Sequence, residues 1–482
     1  MNKETKILTN VFLNTTEDKV VPVNIYFDGK IQKIEKLSNN EYNLNEIILS
    51  DNPQKYFNYR ELAPNLEIID GEFNLVIPGA IDPHVHFDTP GFEFRDTFEH
   101  GTTAAAYGGV TSIIDMPCTS LPPVTSLKNF EEKLNIIEGR ALVDFAFWGG
   151  VCGNDFSQMQ EIEKNINDLN DAGVASYKAY FLSGMETFKD LNYEQMKFAA
   201  KIISKTSKPL GVHAEDKMLV ETRRTEFIKN GENSWDKYCS ARDSLAEEAA
   251  IKDMIEIAKF SKARVHIVHL SSELGLNAIK NAQKEDINIS SETCPHYLHF
   301  IQDDFNKIAI SNFLKTAPPV KNENDRNALW QGIEDNSLFF VTTDHAGCDP
   351  NVEKVSGNFW KIYGGIPGVE HRVPYLFSEG FLKGRLNLST TINLLSANVA
   401  EYFGLQQKGR IEEGYDADFA ILNLREKELV KSENMHSKGK YTPFEGVEFS
   451  CIVEKTILRG NTVMNRGGST EKEIGYGKFI KV

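Results

Sequence analysis

Val76-Ile-Pro-Gly-Ala-Ile-Asp-Pro-His-Val-His-Phe87 is an apolar strand that runs into a His-x-His pair and stops soon after, at Pro90-Gly91. Side chains two apart on a strand point the same way, so His84 and His86 can aim both imidazoles at one point beyond the strand end. Imidazole is the commonest biological ligand for zinc and similar metals. Alone, the pair reads equally well as two half-buried core histidines. The decision rests on the rest of the chain.

Outward from this stretch, apolar runs at 111–115, 143–147, 175–181, 209–213, 263–269, 287–292 and 338–343 alternate with helical segments. With 76–86 they make eight strands, which predicts an α/β fold of the (β/α)8 TIM-barrel type over residues 76–405. Residues 1–75 and 406–482 carry short β segments instead, such as 6–12, 20–26, 417–422 and 451–458. The two ends are predicted to pair into one small β-sandwich domain beside the barrel. Residues 38–63 are Asn-rich and weakly patterned, as expected of an insertion or long loop.

The 482 residues carry a net charge of −16, which argues against nucleic acid or an anionic membrane as partner. No run approaches the ~18 apolar residues of a membrane helix. The N-terminus, Met1-Asn-Lys-Glu-Thr-Lys6, lacks the apolar stretch of a secretory leader. The six cysteines are scattered without a C-x-x-C pair, which fits free thiols and a cytoplasmic location.

In such a barrel the site lies at the C-terminal ends of the strands. His84 and His86 end the first predicted strand, Lys178 sits in the fourth, His213 ends the fifth, His269 the sixth, and Asp344 follows the eighth. Each has a bland alternative: a core histidine, a snorkelling lysine, a helix N-cap aspartate. Together they form a metal site. Four histidines and a carboxylate exceed the three or so protein ligands of one catalytic zinc, so a second divalent cation is the natural use for the surplus. An anionic bridge between two cations is then needed, and Lys178 supplies one if CO2 carboxylates its amine.

The chain resembles the amidohydrolase superfamily, and within it the cyclic amidases: allantoinase, hydantoinase/dihydropyrimidinase and dihydroorotase. The resemblance is carried by Gly79-Ala-Ile-Asp-Pro-His-Val-His86, Gly101-Thr-Thr-Ala-Ala-Ala-Tyr-Gly-Gly-Val-Thr111, Glu292-Thr-Cys-Pro-His-Tyr297, Thr343-Asp-His345 and Gly414-Tyr-Asp-Ala-Asp418. It implies two zinc ions, one held by His84, His86 and Asp344 and the other by His213 and His269. Carboxylated Lys178 and a hydroxide would bridge them, and Asp344 would carry the proton to the leaving nitrogen. It also implies a homotetramer or homodimer.

The resemblance implies a small cyclic amide as substrate. Dihydroorotase enzymes place an Arg and an Asn where this chain has Asp88 and Cys118, and a carboxylate facing the substrate carboxylate is repulsive. Hydantoinases carry an oxyanion-donor Tyr where this chain has Ser183. Allantoinase is the nearest match, through Phe147-Trp-Gly-Gly150 and Asp344-His-Ala-Gly-Cys348, although Thr89 and Ala346 depart from its pattern. Asp88, Cys118, Ser183 and His296 are the expected substrate contacts. The rival class is a non-catalytic scaffold on the same barrel; such a protein would be expected to have lost part of the ligand set.

Overall fold

The computed structural model describes residues 5–59, 62–63 and 65–482. Residues 1–4, part of the N-terminal stretch Met1–Lys6, and residues 60, 61 and 64, in and beside the Asn-rich stretch, lie outside the described residues. Among those described, the Asn-rich stretch holds a two-residue strand, Tyr42–Asn43, a short helix, Leu44–Ile48, and one 3-10 turn, Pro53–Tyr56.

All eight expected barrel strands form: Ala80–His86, Val110–Asp115, Asp144–Gly150, Ser176–Tyr180, Leu210–His213, Val265–Ile267, Ile289–Thr293 and Phe340–Val341. Each pairs in parallel with the next. Helices cover the outer face, so the strands are buried on both sides and read as apolar runs without alternation. Helix starts are marked by side-chain caps, among them Thr97, Ser126, Asn192, Ser272 and Asn322.

Two strand expectations need correction. The first barrel strand begins at Ala80, not Val76. Val76 lies opposite Leu13 and Ile421 in the sheet built from the chain ends, and Gly79 is the crossing point. A Cβ there would lie 2.2 Å from Thr111 Oγ1, so only glycine passes. The eighth strand is split. Phe340–Val341 pairs with the seventh strand, and His345–Ala346 pairs with the first, opposite Val85 and His86. The interrupted strand closes the ring, and buried Arg372 pins that seam by donating to Val341 O and Ile81 O, each at 2.8 Å.

The second sheet has eight strands, drawn from residues 6–78 and 419–465. Phe27 and Phe419 lie on strands separated by two others, roughly 14 Å apart in a flat sheet, yet their ring centroids are 5.5 Å apart. The sheet therefore curls into two facing layers around Val21, Val23, Ile25, Ile421 and Ile457.

This sheet is keyed to the barrel through Lys408. Its buried ammonium bonds Asp144 of the third barrel strand at 2.8 Å and Asp418 at 2.6 Å, with Asp416 at 3.1 Å. Arg459 shares Asp144. Removing one member of a buried charge cluster leaves its partners uncompensated, which costs about 3–5 kcal/mol. Lys408→Met is thus expected to lower the denaturant midpoint of unfolding without changing the metal content of the folded protein. A midpoint equal to wild type would show the cluster to be dispensable.

Candidate metal centre

The strand ends bring the six predicted ligands together. Asp344 Oδ1 lies 3.0 Å from His84 Nε2 and 3.3 Å from His86 Nε2, and these three side chains form a group able to hold a metal ion. His213 Nδ1 lies 3.0 Å from His269 Nε2. The two groups adjoin: ring centroids are 5.4 Å apart for His84 and His86, 5.5 Å for His84 and His269, and 4.7 Å for His213 and His269.

Two nitrogens each ~2.1 Å from one ion lie roughly 3.0–3.4 Å apart for bond angles between ~90° and tetrahedral. The observed donor separations fall at that spacing.

Buried carboxylates set the tautomers. Glu292 accepts from His84 Nδ1 in a short bond, leaving the His84 Nε2 lone pair without a hydrogen-bond partner and facing Asp344. Glu215 Oε2 accepts from His213 Nε2 at 2.7 Å, which frees Nδ1, and Arg242 holds Glu215 through both oxygens. Such outer partners fix ring orientation and raise ligand basicity. Asp216, next to Glu215, caps the helix Lys217–Lys229. His345 is a loop support: it bonds Asp96 Oδ2 at 3.1 Å and accepts from Val369 N at 3.2 Å.

Lys178 is fully buried and its Nζ has no hydrogen-bond partner. Burial pulls its pKa down to about 8, with Cys118, Asp344 and Glu292 only partly opposing. A bare interior ammonium is costly, whereas a neutral amine, or its carboxylated form between cations, is not. Burial also works against the Asp344 carboxylate, yet the surrounding imidazoles, His84 foremost, hold its pKa well below the usual range. These donors fit a pair of divalent cations.

The expected substrate contacts divide. His296, in the short helix Pro295–His299, is buried with Nε2 unpaired, and burial lowers its pKa to about 4. Asp88 is buried with both oxygens unpaired, and burial, then Asp96, raises its pKa well above the usual range. Cys118 Sγ sits 3.7 Å from His86 Nδ1 and 3.1 Å from the Tyr180 hydroxyl. Ser183 uses its hydroxyl inside its own loop, donating to Phe188 O at 2.6 Å and accepting from Met185 N at 3.1 Å. It offers no free donor at the position where hydantoinases carry Tyr.

Sequence reasoning missed Glu292 as a ligand partner and Tyr180 as a lining residue. Tyr180 shares a strand face with Lys178 and stacks on His213 at 5.3 Å. A charged residue in the middle of a buried strand was the signal for Glu292.

The profile of the amidohydrolase family matches residues 75–463, so the chain belongs to that family. An allantoinase from Bacillus licheniformis is 33% identical over 87% of this chain and 92% of its own. A dihydroorotase from Methanosphaera stadtmanae is 36% identical over 82% of this chain and 87% of its own. Among solved structures, the L-hydantoinase (dihydropyrimidinase) from Arthrobacter aurescens superposes with a TM-score of 0.87 at 27% identity, covering 99% of each chain. The protein is a cyclic amidase, a hydrolase acting on carbon–nitrogen bonds of cyclic amides. Among the described residues no helix is long and apolar enough to cross a membrane.

Proposed function

We propose that this enzyme opens the ring amide of a cyclic ureide, with allantoin as substrate, using two divalent cations, zinc by the character of the donors. His84, His86 and Asp344 would hold one cation, His213 and His269 the other, and carboxylated Lys178 would bridge them. The observation that carries this reading is Lys178 Nζ, buried and unpartnered beside two converging donor groups. Bound cations would supply Lewis acidity, lowering the pKa of a water and polarising the amide carbonyl.

The remaining work falls to the chain. Asp344, kept ionised by His84 and His86, takes the proton of the attacking water at a carboxylate oxygen and delivers it to the departing ring nitrogen. His296, with Nε2 free, faces the substrate. Asp88 and Cys118 offer no cation to a substrate carboxylate, and nearby Arg95 is already held by Glu353. That favours an uncharged ring over dihydroorotate.

Metal-loaded protein should therefore turn over allantoin at least ~100-fold better, in kcat/KM, than dihydroorotate, since a buried substrate carboxylate without a pairing cation costs several kcal/mol. Parallel assays with allantoin, hydantoin, dihydrouracil and dihydroorotate test this. Preferred turnover of dihydroorotate would overturn the reading of Asp88 and Cys118, and preferred turnover of hydantoin or dihydrouracil would move the assignment to that class.

A further inference from the structure

His266 reads in the sequence as a core histidine. It is indeed buried, packed between Phe340 and Tyr402 with ring centroids 5.1 and 5.2 Å away. Both its nitrogens are nevertheless engaged. Nε2 lies 3.2 Å from Glu292 Oε2, and Nδ1 lies 2.8 Å from Ser290 Oγ, which is in turn 2.8 Å from the Tyr402 hydroxyl. The other oxygen of Glu292 receives His84 Nδ1 and, at 3.3 Å, the backbone N–H of His269. A continuous string thus runs through the barrel interior from Tyr402 to a metal ligand.

The direction of this string is forced. A carboxylate can only accept, so His84 presents Nδ1–H and His266 presents Nε2–H to Glu292. A neutral imidazole that donates at one nitrogen must accept at the other, so Ser290 donates to His266 Nδ1. The Ser290 oxygen is then left to accept from Tyr402. Ser290 has a second acceptor in Val265 O, but at 3.4 Å against 2.8 Å to His266 Nδ1, and the last consequence is that the His84 lone pair lies at Nε2, towards the cation site. The second ligand group reaches the same end differently, with Arg242 neutralising Glu215.

We propose that His266 is a positioning residue: acting through Glu292, it locks the tautomer of His84 and so sets the affinity of the cation held by His84, His86 and Asp344. This rests on the two-cation reading above. Without His266, Glu292 keeps a buried oxygen with no donor, and it can turn from His84 to find one.

The test uses the full-length protein with Zn2+ as probe, measuring stoichiometry and affinity by chelator competition. Wild type is expected to bind two ions per chain. His266→Phe keeps the ring packing and removes both bonds; the ion on His84 should weaken ~10–100-fold, the size of effect found for outer-shell partners, and the other ion, which Glu292 touches only through the His269 backbone N–H, by much less. His266→Gln keeps a donor towards Glu292 and should stay within about threefold of wild type. Long-range 15N spectra of histidine-labelled metal-free protein should show His84 as the Nδ1–H tautomer in wild type and as a mixture in His266→Phe.

Equal weakening of both ions would mark general loosening and overturn the proposal, as would unchanged affinity in His266→Phe. Should that variant not fold, Ser290→Ala replaces it, with a site-selective loss expected and an unchanged affinity overturning the idea. A wild-type protein that binds no ion defeats the two-cation reading itself, which is a separate outcome.

Discussion

Lys178→Ala is expected to abolish measurable ring opening, a loss of ~10³-fold or more in kcat/KM, because bridging charge and cation spacing both depend on that side chain. Its Nζ has no hydrogen-bond partner in the interior, so truncation breaks no bond that the fold relies on, and stability should change little. The substitution leaves a cavity lined by the ligand histidines and Tyr180. Small carboxylic acids such as acetate or propionate should enter it and restore part of the activity, in proportion to their concentration. Metal content by elemental analysis separates the causes: rescue should raise both bound metal and turnover. Full activity of Lys178→Ala without added acid would remove the carbamate bridge from the mechanism.

Asp344→Asn is the second large effect. The amide is nearly isosteric and retains an oxygen towards His84 and His86, so the first cation should weaken without being lost. An amide cannot accept and return a proton, and loss of a general base costs 10²–10⁴-fold in kcat. The separation of a large kcat loss from a modest loss of bound metal is the diagnostic result. If Asp344→Asn retains more than about a tenth of wild-type kcat, proton transfer belongs to another group.

The convergence of the six candidates was legible in the sequence because strand ends constrain it. Five of them stand at the close of an apolar run and Lys178 within one, and a parallel barrel brings such ends to one mouth. What escaped notice was the polar wiring behind them. Glu292 lies within a run expected to be a buried strand, and a buried carboxylate implies partners, but the sequence does not say which histidines are in reach. His266, three before His269 on the same predicted strand, is interior as that spacing implies; that both its nitrogens are hydrogen-bonded depends on Glu292, on Ser290 and on Tyr402, 136 positions downstream in number and adjacent in space. The two-residue strands Phe340–Val341 and His345–Ala346 are too short to show any period. The passage of Val76 into the other sheet is invisible in an apolar run, with Gly79 its single mark.

Two of the ligands, His269 and Asp344, have φ of +42° and +48°, and Asp88 has +53°. Side-chain-bearing residues disfavour this left-handed region by roughly 1–2 kcal/mol relative to glycine. Aspartate and histidine enter this region more readily than most side chains, but glycine does so without the steric cost. A descendant released from selection for hydrolysis would gain stability by drifting to glycine at these positions. Such replacements would be an early genetic record of an abandoned activity, while the barrel around them persisted.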